Sequence, residues 1–191
     1  MANVFATHSV GNSLMTYLKN AYPKSLSKDH PFDFQVISCG QLAETTEPRN
    51  TVTLFLFRIT QDEHLRGRKV PSDPPHASPP LSIDLHYLLT AWADSAVAEH
   101  TVLTWAMREI QMHPVLDSSA LSPEAGWTPG DVVQLIPAEL SNDDLFRIWD
   151  LLLPKYRLSI SYIARVIRVD TDVTSDRPVV ATRMSFEEKP S

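Results

Sequence analysis

The residues of this chain whose types could run a reaction or hold a metal are His86, His100, His113, Cys39 and the adjacent pair Asp143 and Asp144. Asp84 and His86 stand two apart on what reads as one strand face, a spacing that two ligands or a base and its partner could use. His100 and His113 cannot join them from one helix. Thirteen residues at about 100° each turn the second roughly 220° from the first. His100 falls on an apolar stripe, where a histidine satisfied by one hydrogen bond is the ordinary finding. Cys39 has no cysteine or histidine at ligand spacing and reads as a small core residue of a strand. Ser141 followed by Asp144 is a near-capping box, so the aspartate pair suits a helix N-terminus better than acid–base work. There is no G-x-S-x-G elbow, phosphate loop or dinucleotide fingerprint, and the 5 glycines leave few places for backbone to approach a phosphate. The sequence therefore predicts no enzyme, no cofactor and no metal site. The rival from another class is a small hydrolase built on His86 or Cys39.

The elements that must position these residues can be read from periodicity and breakers. Residues 2–22 predict a helix carrying Val10, Leu14 and Ala21 on one side and stopped by Pro23, with Gly11 weakening its first half. Strands follow at 33–38 and 51–60, the second dense in β-branched and aromatic residues. Residues 64–80 form a proline-rich loop, long for a compact domain and thus a candidate contact element. Leu81, Ile83 and Leu85 then alternate with Ser82, Asp84 and His86, the pattern of a strand with one buried face. From Ala96 the spacing changes to Ala96, His100, Leu103, Met107 and Ile110, one stripe of a long helix with Asp94 and Ser95 at its cap and Pro114 beyond its end. Trp105, with Ala98 and Val102, makes a second apolar strip that either widens the core or meets a neighbouring subunit.

A turn-rich segment covers 117–130, a short strand 132–136, and a helix capped by Ser141 that turns Leu145, Ile148, Trp149 and Leu152 inward before Pro154. The last strand, 156–169, sets Tyr156, Leu158, Ile160, Tyr162, Ala164 and Val166 on one face and Arg157, Ser159, Ser161 and Arg165 on the other, which is open or contacts a partner. Arg58, Arg66, Arg68 and Lys69 gather positive charge in and around the long loop, either solvated or facing an acidic partner.

Composition bounds the class. The 191 residues suit one domain able to bury roughly 70% of its unfolded surface. A formal charge of -6 with 17 basic residues argues against nucleic acid as a partner. The single cysteine forbids an internal disulfide and fits a reducing cytosol. No signal peptide and no apolar run near the roughly 20 residues of a spanning helix can be found, so a soluble protein made in the cytoplasm and free of the membrane is expected.

The stretch from Pro79 to Asp117 closely resembles the domain shared by tail-terminator, or tube-cap, proteins of phage-tail-like contractile injection systems of the antifeeding-prophage type. That family's pattern is a proline pair, a strand ending L-H-Y-L-L-T-A, and a helix with a histidine that ends at H-P-V-L. Here it stands as Pro79, Pro80, Leu85 to Ala91, His100 and His113 to Leu116. Ile148, Trp149 and the run YRLSISYI from Tyr156 to Ile163 look like the family's tryptophan-bearing helix and following strand, and TVTLFLFRI with Arg66 like its earlier hairpin strand. The likeness covers roughly residues 1–170. It departs at Thr104, where the family leads one to expect glycine, and after Arg66, where Gly-Arg-Lys replaces an asparagine-led turn.

The resemblance implies an α+β fold: a mainly antiparallel sheet of four or five strands with about three helices packed mostly on one face, over 1–170, and a C-terminal arm at 171–191. It implies a structural role, as a homohexameric ring closing the distal end of an inner tube and anchoring the last layer of a sheath, with the chain itself, the tube protein and the sheath protein as partners. Arg58, Arg66, Arg68, Lys69, Trp105, Arg157 and Arg165 are the candidate contacts. An adaptor elsewhere in the same kind of particle, such as its baseplate end, is the alternative within this class.

Overall fold

The computed structural model describes residues 2–42, 48–62, 80–152 and 156–170, with the side chain of Val166 left aside. The elements in chain order are α1 (Ala6–Ala21), α2 (Lys24–Asp29), β1 (Asp33–Ile37), α3 (Cys39–Leu42), β2 (Thr51–Gln61), β3 (Leu81–Trp92), α4 (Ala96–Met112), β4 (Val115–Asp117), a 3-10 turn (Pro123–Ala125), β5 (Val132–Pro137), α5 (Asn142–Leu151) and β6 (Ser159–Val169). The combination of helices with one sheet is as expected, but the details differ. Among the described residues the sheet has six strands, in the order β1-β2-β3-β6-β5-β4. It is mixed: β1 runs parallel to β2, and the chain between them passes through α3. The other pairs are antiparallel.

β3 is the central strand, and its sequence explains why. Ile83, Leu85, Tyr87, Leu89 and Ala91 point to one side and join the main core with α1 and α4. Leu88 and Trp92 point to the other and join Trp149 and Leu152, at the end of α5, with Ile37 and Leu42. Both faces are buried from Ser82 to Trp92 apart from half-buried His86, and in the second half the alternation of residue types gives way to the run YLLTAW. The helices therefore lie on both faces, the long α1 and α4 on one and α5 on the other. Among the described residues there are five helices where about three were expected, the extra two being α2 and α3, of 6 and 4 residues.

The expected stripe of α4 is buried only in part, through Leu103 and Ile110, and the second strip with Trp105 widens the core beside it. Ala98, Val102, Leu103, Trp105, Ala106 and Ile110 face the core, whereas His100 and Met107 are exposed. Trp105, 6% exposed, meets Tyr22 and Phe34 edge-on at ring separations of 4.9 and 5.9 Å. An aromatic ring that buries about 150–250 Å² outweighs an alanine, a histidine and a methionine that can remain wet, and the helix rotates accordingly. Ser95 occupies the N-cap position of α4 but its side chain makes no capping bond. Ser141 does cap α5: its Oγ accepts from the Asp144 amide at 3.1 Å and donates to Asp144 Oδ2 at 2.7 Å.

α1 runs through Gly11, where a Cβ would lie 3.4 Å from Tyr87 Oη; the missing side chain lets the helix sit close over β3. Its polar flank is tied to the 3-10 turn. Ser9 Oγ donates to the Ser122 carbonyl and accepts from Trp127 Nε1, while Ser13 Oγ accepts from the Ser122 amide at 2.7 Å.

Candidate interaction surface

The three histidines occupy three separate places. His113 is the C-cap of α4, with Nε2 3.7 Å from Glu109 Oε1. The same carboxylate oxygen accepts from Tyr17 Oη at 2.7 Å, and burial together with this bond pushes the Tyr17 phenol up to about 12. His100 lies on the outer side of α4, where it lines a cleft of about 560 Å³ with Pro23, Leu26, Thr101, Thr104 and Arg108. Thr104, the residue at the expected glycine, is thus on the outside of the helix. Among the described residues no group of three or more His, Cys, Asp or Glu could hold a metal ion.

Cys39 does not sit in a strand core. It opens α3 and is exposed. The strand ends at Ile37 because Ser38 and Gln41 form a reciprocal cap: the Ser38 amide donates to Gln41 Oε1 at 2.9 Å and the Gln41 amide to Ser38 Oγ at 3.3 Å. S-x-x-Q was the readable signal for that turn.

His86 belongs to the sheet face that α5 covers only in part. Two irregularities of register meet there, one in β2 between Leu56 and Arg58, the other between Ile83 and Leu85 in the pairing of β3 with β6. Bulges re-aim side chains. The first places Arg58 opposite His86 and Thr60 opposite Asp84; the second shifts the phase of β6, so that Ala164 and Ile167 are the buried residues. The expected alternation holds to Ala164, and the next described buried position is Ile167. Thr60 Oγ1 lies 2.9 Å from His86 Nε2, and Arg165 Nε lies 3.4 Å from Asp84 Oδ2. Burial, then the Arg58 guanidinium, holds His86 below the usual imidazole range, with Asp84 opposing. Strands β4 and β5 extend this face: Leu116 and Val133 turn into the core, which directs Val115 and Val132, 48% and 51% exposed, to the other side.

Of the residues singled out as contacts, Arg58 and Arg165 come together on this face and are exposed. Arg157 lies at the opposite end, its guanidinium 5.6 Å from the ring centre of Trp92. Trp105 is core. Arg66, Arg68 and Lys69 lie outside the described residues. Arg168 was missed; it pairs with Ser82 across the sheet, one turn of the pleat from Asp84.

A mixed sheet with helices on both faces thus leaves Arg58 and Arg165 exposed on the side that α5 covers in part, and it ends in the edge strands β1 and β4. The model of the Pvc16 N-terminal domain matches residues 9–182, and the chain belongs to that family. The fold is similar to that of the PVC sheath/tube terminator of an extracellular contractile injection system in its extended state, with a TM-score of 0.56 and 20% identity over 96% of this chain and 64% of that one. It is likewise similar to the tube-terminating cap of the anti-feeding prophage, with a TM-score of 0.55 and 16% identity over 100% of this chain and 62% of that one. The chain thus spans less than two thirds of either structure. No curated protein matches it. Among the described residues no helix is long and apolar enough to cross a membrane.

Proposed function

We propose that this chain is a structural terminator of a phage-tail-like contractile injection system, closing the distal end of the inner tube as a homohexameric ring and anchoring the last sheath layer. It is made in the cytoplasm and then built into the particle, and it carries out no catalysis. The observation that supports this reading most is membership of the Pvc16 N-terminal domain family across residues 9–182, joined to the fold shared with two terminators.

The physical requirement is clear. A stacked tube or sheath ends in a layer whose binding surface is unsatisfied, so growth continues until something matches that surface without offering a new copy of it. A ring of six matches a sixfold layer. Strands at both edges of the sheet, β1 and the three-residue β4, offer backbone for an arriving sheath arm, a contact that needs extended chain more than particular side chains. Mixing the purified chain with tube protein, followed by native mass measurement and negative-stain imaging, tests the reading; rings on tube ends are expected.

A further inference from the structure

β6 runs past the end of β5, and the gap beside it is a cleft. The last contact between them is the Ala138 amide, which donates to the Ser161 carbonyl at 2.9 Å before the chain leaves the sheet for α5. Alternate residues of an antiparallel strand turn their backbone groups to the same neighbour. Ser159, two residues from Ser161, therefore turns its N–H and C=O toward the line that β5 has left. Neither group has a hydrogen-bond partner among the described residues. The cleft measures about 320 Å³, with half-buried Leu140 and Leu145 on one side, residues 159–161 on the other, and Glu139 as the one charged side chain of its lining. Ser161, 6% exposed, borders it with an Oγ that has no partner among the described residues, which is uncommon for a buried hydroxyl.

A donor and an acceptor from one residue, side by side at a strand edge, match the backbone of an extended segment. The two leucines leave room for one of its side chains. The longest uncharged run of β-forming residues beyond Asp170 is Val179, Val180, Ala181 and Thr182, placed just after Pro178. Length decides whose segment it is. Asp170 lies at the other end of β6, so that the eleven steps from residue 159 to residue 170 separate it from Ser159 by roughly 36 Å. The ten steps from residue 170 to residue 180 span at most roughly 33–36 Å. Val180 of the same chain would reach the cleft only with every intervening residue pulled straight, a limit that the segment of an adjacent copy does not face.

We propose that residues 179–182 of one copy add a short antiparallel strand beside Ser159 of a second copy, in line with its β5. The Val180 amide donates to the Ser159 carbonyl, the Ser159 amide donates to the Val180 carbonyl, and the Val180 side chain sits between Leu140 and Leu145. Each copy gives one segment and receives one, so the exchange repeats head to tail until the rotation closes a ring. The proposal rests on the ring reading above and adds the contact that ties its members.

Cysteine linking tests it in whichever setting the wild type associates, free or on tube-protein ends. A chain carrying Cys39→Ser, Glu139→Cys and Val180→Cys should give, under mild oxidation, a ladder of linked chains on a non-reducing gel. Arg108→Cys in place of Glu139→Cys puts the thiol on exposed α4 across the sheet and should give none. Val180→Pro, which has no N–H to donate, should associate at least tenfold more weakly than the wild type by sedimentation or by imaging of tube ends. Val180→Thr, which keeps the N–H, should associate as the wild type does. A missing ladder together with undiminished association of Val180→Pro overturns the exchange and leaves the ring reading standing, and so does an Arg108→Cys chain that links equally well. Faster-migrating single chains without a ladder place the segment in its own copy and overturn the exchange. A wild-type chain that stays single in both settings overturns the exchange and the ring together.

Discussion

Glu109 shows how much of this molecule is decided by single contacts that no spacing announces. It stands 92 residues from Tyr17, yet Tyr17 Oη donates to it at 2.7 Å and joins α1 to α4. Tyr17→Phe should lower unfolding stability by about 1–3 kcal/mol, the usual effect of leaving a largely buried acceptor without its donor, as measured by denaturant titration. Because the folded phenol is raised from 10.0 to about 12, the stability tied to it is full below pH 10 and is lost as pH rises between those values, which ultraviolet titration of wild type and variant would detect. Cys39 gives a simpler check. An exposed thiol at the start of a short helix should react with a thiol reagent in the native state, one equivalent per chain, whereas protection until unfolding would contradict the fold around α3. The residue types that could run chemistry were legible, as was their scatter along the chain. The exposure of Cys39 and His100 was not, since each depended on where a neighbouring turn began or how a helix rotated.

Elements were legible in proportion to their length. The 12 residues of β3 and the 17 of α4 announce themselves by periodicity and breakers, and Ser141 marks the start of α5. The three residues of β4 are too few to show a period, and α2 and α3 are little more than turns. Both apolar strips of α4 were legible, but not how they share the core, because only the partners Tyr22 and Phe34 bring Trp105 inward and leave His100 and Met107 outside. Trp105→Ala should therefore cost about 3–5 kcal/mol, while Met107→Ala, on the exposed side, should change stability by less than about 0.5 kcal/mol. Equal effects would restore the other stripe to the core. Ser141→Ala should cost about 1 kcal/mol through loss of the cap.

At the scale of the whole molecule the sequence showed one sheet with packed helices, and a resemblance located it among terminators. The parallel pairing of β1 with β2 and the placement of α5 on the second face were not readable, because strand order is set by connections and by which face each helix can reach. That placement decides which side chains stay exposed, since a helix covering half a sheet face leaves Arg58 and Arg165 exposed on the other half. The central claim is that this chain ends a tube. The most direct measurement is the length distribution of tubes assembled from tube protein with and without it, imaged together with the symmetry of their ends. The account predicts sixfold caps on one end only and no growth past a capped end. Tubes that grow equally with the chain present, and ends that carry none of it, would contradict it.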